Sequence, residues 1–267
     1  MEPRPLRSLP AVIDLHSHVL PGLDDGPADM AGSLALARVA VEAGTRVVAA
    51  TPHIGSGYHV VPLELSARVW QLERALAEAD IDLEIVTGGE IAPGEVSRLT
   101  GPDLAAVGLG GGSCVLLECP FAPVGDLMAL LVDKLQEQGL RVLLAHPERS
   151  PTFLRDIRRL EKLVEKGAFV QLTAGSLEGS FGRTAWRFCS AVLERGLAHV
   201  VASDAHGAVG RSPQLLSIVE EAVWQQGLPE ELTAHLIDAV PRALLDDAPI
   251  PAGPVNRRRR SRRLRRQ

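Results

Sequence analysis

Five of the eight histidines in this 267-residue chain stand at or just beyond the ends of short apolar runs, in company with aspartates and glutamates. Imidazole and carboxylate without thiolate is a donor set for manganese, iron or zinc in catalytic rather than structural use. His16 and His18 alternate in IDLHSHVLPGLDDGP, so on a strand both leave the same face, roughly 7 Å apart along the chain, and can converge on one ion. Asp24 and Asp25 follow in the next loop. His53 closes ATPHIG, Glu90 closes IVTGGE, Glu118 ends VLLE, His146 opens HPER, and Asp204 and His206 end VVASDAH. Roughly nine donors exceed what one ion accepts, so two or three ions are implied, bridged by at least one carboxylate and about 3.5–4 Å apart. Water activated in such a cluster becomes a nucleophile near neutral pH, and hydrolysis of a phosphate ester is its natural use.

Taken singly, a histidine at a strand end is more often a hydrogen-bonded structural residue than a ligand. Coincidence across six strand ends is much harder to sustain. His59, His199 and His235 fall outside the pattern, in a loop, at the opposite end of a strand and late in a helical stretch, and read as structural. Arg149 in HPER and Arg211 in GRSP have forked guanidiniums suited to phosphate oxygens, the alternative being ordinary surface charge. Cys189 and Arg195 match a Cys-x5-Arg spacing, yet the intervening SAVLE reads as helix interior and lacks the glycine-bearing loop that a thiolate phosphatase needs.

The elements that must carry these residues alternate regularly. VIDLH, RVVAATPH, LEIVTGGE, CVLLE, RVLLAH, AFVQLT and HVVASD are near-continuous apolar runs of the kind found in a parallel sheet buried on both faces. Met30, Leu34, Ala37 and Val41 follow a helical period between them, as do Leu127, Leu130, Leu131 and Leu135, and Ile157, Leu160 and Val164. Gly44, Gly139, Gly167, Gly196 and Gly227 each follow a helical stretch, where a left-handed capping residue is favoured. Such βα alternation predicts a parallel sheet, open or closed. With neither GxGxxG nor a Walker phosphate loop present, a barrel with its site at the strand C-termini is the favoured form.

A hydrophobic content of 46% over this length supports one folded unit. No apolar run is long enough to span a membrane or act as a secretory leader, and three cysteines without CxxC spacing suit a reducing cytoplasm. Eight arginines crowd residues 257–266, and setting them aside takes the net charge from −5 to about −13. The proline-rich DDAPIPAGPVN precedes them. Residues 11–245 are therefore expected to form the folded unit and 246–267 a disordered arginine-rich tail suited to an acidic partner, nucleic acid or anionic lipid.

The motif series from residue 12 to 213 resembles the polymerase and histidinol phosphatase (PHP) superfamily, in particular the bacterial PHP-type tyrosine phosphatases of capsule and exopolysaccharide loci. HSH, DDGP, TPH, GGE, a strand-final glutamate, AHPER, SDAH and the following GR match in order and spacing. The resemblance implies a distorted (β/α)7 TIM-like barrel and a three-metal centre, usually manganese, with iron or zinc in related sites. By position, His16, His18, Glu90 and Asp204 would hold one ion, Glu90, Glu118 and His146 a second, and Asp25, His53 and His206 a third. Arg149 and Arg211 would hold the substrate phosphate. It also implies a phosphotyrosine substrate on a tyrosine autokinase of polysaccharide export. The arginine-rich tail and the loop GSGYHVVP are departures from the pattern.

Other readings remain open: a histidinol-phosphate or other small-molecule phosphatase, a PHP-type nuclease, or a binding module whose metals only stabilise the fold. An amidohydrolase also opens with HxH, but Glu118 stands where that class carries a lysine at the end of the fourth strand.

Overall fold

A computed structural model describes residues 11–211 and 213–254. Nine parallel strand segments occupy the seven expected runs: β1 (Val12–Ser17), β2 (Thr45–Ala50), β3 (His53–Ile54), β4 (Glu84–Thr87), β5 (Glu90–Ile91), β6 (Cys114–Glu118), β7 (Arg141–Ala145), β8 (Phe169–Thr173) and β9 (Val200–Ala202). They pair in the orders β1-β2-β4 and β3-β5-β6-β7-β8-β9. Two expected runs are each broken in two, at Thr51–Pro52 and at Gly88–Gly89. Pro52 has no N–H to give a ladder, and neither glycine has a side chain to pack on a pleat. A Cβ on Gly89 would meet Ile54 Cγ1 at 2.8 Å, so the break is also where neighbouring chain comes closest. The first and last strands meet at their C-terminal ends. Ser17 bridges Ala205 in parallel, the His18 N–H donates to the Ala205 carbonyl at 2.9 Å, and the Asp204 N–H donates to the His16 carbonyl at 2.8 Å.

Alternate residues of each strand enter different apolar clusters, which is why the runs read as continuously hydrophobic. Val115 and Leu117 of β6, Val142 and Leu144 of β7 and Val201 of β9 join the larger cluster with the surrounding helices. Cys114 and Leu116, Leu143 and Ala145, and Val200 and Ala202 join a smaller one closed by Leu109, Val240 and Leu244.

The helices are α1 (Met30–Glu42), α2 (Leu65–Glu78), α3 (Gly101–Ala106), α4 (Leu127–Gln136), α5 (Pro151–Arg155), α6 (Ile157–Glu165), α7 (Ala174–Leu177), α8 (Gly182–Glu194), α9 (Leu216–Gln225), α10 (Glu231–Ala234) and α11 (Val240–Leu245). All five capping glycines named above adopt positive φ, from 59° at Gly227 to 94° at Gly167. On α4 the buried stripe is Met128, Leu131, Val132 and Leu135, while Leu127 and Leu130 face outward. His235–Ala239 forms a π turn between α10 and α11, as expected where Pro241 removes an N–H from the ladder. Among the described residues, no helix is long and apolar enough to cross a membrane.

The chain from Asp246 to Ile250, expected to begin the tail, is held against the body, with Ile250 packed on the smaller cluster. The Ser113 N–H and hydroxyl donate to the Asp247 carboxylate, and Arg141 donates to the Ala248 carbonyl at 3.1 Å. The arginine run lies outside the described residues.

His199 bears out its structural reading. Its Nδ1 accepts the Val170 N–H at 3.2 Å and its ring meets Phe169 edge-on, while burial pushes its pKa down to about 4. The unfolded imidazole takes a proton near 6.5 and the folded one resists until about 4. Stability is therefore intact above pH 6.5 and falls as pH drops through that window, by up to about 3 kcal/mol. A urea midpoint that declines from pH 6.5 to 4, with a His199 NMR titration centred near 4, is the expected result. A folded-state midpoint near 6.5 would refute it.

Candidate metal centre

Every residue expected to ligate a metal stands at or just beyond the C-terminal end of one of the seven expected runs, two of which the structure breaks just before His53 and Glu90. His16 and His18 leave β1 with a register shift between Asp14 and Ser17, and their Nε2 atoms come within 3.3 Å of one another. Asp25 lies in the following loop, His53 opens β3, Glu90 opens β5, Glu118 ends β6, and His146, Asp204 and His206 follow β7 and β9. Their donor atoms form four groups within which all lie inside 4.8 Å. These are His18 with Asp25, His53 and His206; His16 with His18 and Asp204; His16 with Glu90 and His146; and His53 with Glu90 and Glu118. All nine positions take part. The division differs from the one that the resemblance implies, because His18 also faces the Asp25 group and His53 also faces Glu118.

The backbone under the cluster is unusual at two of these positions. His146 and Asp204 adopt φ of 36° and 53°, a left-handed conformation that costs a non-glycine residue on the order of 1–3 kcal/mol. Gly26 makes a second demand: a Cβ there would meet the His18 carbonyl oxygen at 2.1 Å, so only glycine lets the DDGP loop close over β1.

Several further residues set the geometry, and of these only Asp24 belongs to a motif, DDGP. The Asp24 carboxylate receives His18 Nδ1 at 2.6 Å and the His53 N–H at 2.9 Å, which aims His18 Nε2 at the cluster. Gln171 does the same for His16: its Oε1 lies 3.2 Å from His16 Nδ1 and accepts the His146 N–H at 3.1 Å. Asp14, fully buried, accepts the N–H groups of His16 and Ser203. The available signal was a polar residue inside an otherwise apolar strand, Gln171 in FVQLT and Asp14 in VIDLHS. Gln171→Leu should lower metal affinity about 10–100-fold while the chain stays folded, as measured by competition with a chelator. Unchanged affinity would remove Gln171 from this role.

Burial opposes charge in this cluster; the neighbours outweigh it at His16, His18 and Glu90, whereas at Glu118 and His206, the latter pushed down to about 4, burial prevails. At His16 the charges of Glu90 and Asp204 raise the imidazole pKa, and at His18 the hydrogen bonds with Asp204 and Asp24 raise it well above the usual value. Burial likewise works to raise Glu90, yet His16 and the hydrogen bond with His146 hold its carboxyl well below the ordinary range. Glu118 is pushed up by burial and by the charge of Glu90. Carboxylates and imidazoles are thus poised to share positive charge. Four buried atoms, His53 Nδ1, Glu90 Oε2, His146 Nδ1 and Asp204 Oδ1, lack a well-aligned hydrogen-bond partner, although Glu90 Oε2 lies 3.1 Å from His53 Nδ1 and Asp204 Oδ1 lies 3.4 Å from His16 Nε2. Buried polar atoms are seldom left that way. Hard oxygen and borderline nitrogen donors converging in this manner fit divalent cations.

The arginines meet at the same point. Arg149 Nη1 donates to Asp204 Oδ2 at 2.9 Å, and Arg211 donates to the same oxygen and to His206 Nε2. Burial lowers the Arg149 pKa in part, and Asp204 resists that. Cys189, by contrast, lies fully buried within α8, where burial pushes its thiol well up, and Arg195 pairs with Glu161 at 2.7 Å. Their spacing is coincidental. His59 is exposed, and His235 is partly buried in the π turn.

Comparison with known proteins gives a consistent set of likenesses. Residues 12–245 match the family described as Capsular polysaccharide synthesis, CpsB/CapC. Tyrosine-protein phosphatase YwqE of Bacillus subtilis is 38% identical over 232 residues, 84% of this chain and 89% of that protein. Tyrosine-protein phosphatase CpsB of Streptococcus pneumoniae is 27% identical over 212 residues, 76% of this chain and 86% of that protein. Among solved structures, a chain from the work on YwqE and CpsB as unique metal-dependent tyrosine phosphatases superposes with a TM-score of 0.75 at 35% identity, covering 92% of this chain and 100% of that one. A β-aspartyl dipeptidase of Fervidobacterium islandicum shares the fold alone, with a TM-score of 0.57 at 17% identity, covering 89% of this chain and 74% of that one.

Proposed function

The chain belongs to the CpsB/CapC family of capsular polysaccharide synthesis, and from that premise we propose that it is a metal-dependent phosphatase that hydrolyses phosphotyrosine on a protein. The observation that carries this reading is the convergence of five imidazoles and four carboxylates, most of them buried, at one end of a parallel sheet, with four donor atoms lacking a well-aligned hydrogen-bond partner.

In this reading the strands form one distorted (β/α)7 barrel, with the hydrogen bonds between the ends of β1 and β9 as its closing contact. His16, His18, Asp25, His53, Glu90, Glu118, His146, Asp204 and His206 would hold two or three ions, with manganese proposed and iron or zinc compatible with the same donors. Such ions supply positive charge for the phosphoryl oxygens and a nucleophile drawn from water at neutral pH. The chain's own part is orientation and charge. Asp24 and Gln171 fix the rings of His18 and His16. Arg149 and Arg211 stand together beside Asp204, and Arg211 Nε has no partner of its own, so their N–H groups are available to grip a phosphate and hold its ester bond in line.

The substrate proposed is a tyrosine autokinase that regulates capsule or exopolysaccharide synthesis. The arginine-rich C-terminus is proposed to meet an acidic partner. Release of phosphate from a phosphotyrosyl peptide by the manganese-supplied protein, lost on chelation, is the expected result. No release in either condition would reject the proposal and direct attention to histidinol phosphate and oligonucleotides.

A further inference from the structure

The chain contains five phenylalanines, three tryptophans and a single tyrosine, and three of these nine rings gather around one site. Tyr58 stacks on His53, centroids 5.5 Å apart and planes 4° from parallel. Phe121 stacks on His146 at 5.5 Å and 11°. The imidazoles between them, His53, His18, His16 and His146, touch in sequence at 4.6, 5.4 and 5.6 Å. One carbocyclic ring therefore ends the imidazole row at each side. Phe181 completes the set: the Arg149 guanidinium lies 4.5 Å from its centroid and 4.7 Å from that of Phe121.

These rings are held in place without being buried. Phe121 is 52% exposed, so part of its ring surface is open to a ligand. Its loop is stiffened by Pro120 and Pro123, and the Val124 N–H donates to Thr152 Oγ1 at 3.1 Å. Tyr58 ends a turn in which Gly55, Ser56 and Gly57 all take positive φ and the Tyr58 N–H returns to the Gly55 carbonyl at 3.0 Å. Ser56 donates to Glu118 at 3.2 Å, which ties that turn to the end of β6, the strand that precedes Phe121. Rings fixed in advance lose little freedom when a flat ligand stacks on them.

We propose that Phe121, with Tyr58 on the opposite side of the site, is a binding surface for the aromatic ring of the substrate and makes the site select aryl over alkyl phosphate monoesters. This rests on the phosphotyrosine reading above and assigns it the residues that read the leaving group. A ring that merely shielded His146 would treat aryl and alkyl ligands alike.

The test is calorimetric binding of phenylphosphonate and methylphosphonate to the manganese-loaded full-length protein, neither of which can be hydrolysed. The expected result is a preference of roughly tenfold for the phenyl compound, within the range one aromatic pair supplies. Phe121→Ala should lose most of that preference, phenylphosphonate weakening several-fold more than methylphosphonate, which itself weakens as Arg149 loses one of its two ring contacts; Phe121→Tyr should keep the preference, and Tyr58→Ala should lose part. Equal binding of the two ligands by the wild type, or equal weakening of both in Phe121→Ala, would overturn the proposal. Phosphate release from a phosphotyrosyl peptide separates the two levels. Release with equal binding rejects the ring surface alone, whereas no release rejects the phosphotyrosine reading along with it.

Discussion

Replacing Glu90 with alanine should lower kcat at least about a thousandfold, some 4 kcal/mol of transition-state stabilisation, and remove at least one equivalent of bound metal. Among the described residues, no other carboxylate meets as many imidazoles. Its Oε1 lies 2.8 Å from His146 Nε2, and its Oε2 lies 3.1 Å from His53 Nδ1, 3.3 Å from His16 Nε2 and 3.5 Å from His18 Nε2. Two of the four donor groups lose a member with it. Glu90→Gln keeps the shape, discards the charge and should fail similarly. Steady-state turnover and metal content by mass spectrometry decide the matter: a Glu90→Ala protein within about threefold of wild type would dissolve the cluster assignment.

Arg149→Ala should act on the substrate and spare the metals. The guanidinium is held between Phe121 and Phe181 with one N–H on Asp204, so its planar fork is oriented before any phosphate arrives. Loss of one such preorganised donor lowers kcat/KM about 10²–10³-fold, and Arg149→Lys should recover only part because an ammonium cannot reproduce the fork. Metal content should match wild type in both. If alanine at 149 instead empties the metal sites, Arg149 serves to hold Asp204 and has no place on the phosphate.

The nine proposed ligands are legible in the sequence for a geometric reason: a parallel sheet ends all its strands at one side, so a residue that closes an apolar run is already assigned to that side. The capping glycines are legible because left-handed backbone at a helix end selects for glycine. The orienting roles of Asp24 and Gln171 are less so. Their partners are the far ring nitrogens of His18 and His16, and Gln171 lies 155 residues from His16, a pairing that no local pattern announces. Phe121 is hidden likewise, since a lone phenylalanine between prolines looks like an ordinary loop until His146 and Arg149 are seen beneath it. The outward Leu127 and Leu130 and the packed residues after Asp246 have a common cause. Hydrophobic period and composition report what a segment can do, while the neighbours that decide burial come from distant parts of the chain.

The meeting of β1 and β9 also sets a schedule for biosynthesis. His16 and His18 are made well before the rest of the site, yet the hydrogen bonds that fix the loop behind them come from Asp204 and Ala205, the Ser17 hydroxyl contact with Ala205 spanning 188 residues. At ordinary rates of synthesis the first histidines wait about 10–40 s before their last neighbours exist. A nascent chain in that interval exposes a pair of histidines with an incomplete coordination sphere. On the proposed ligand assignment, ion capture is a late event, and a protein cut short before residue 206 would be metal-poor however much of its sheet had formed.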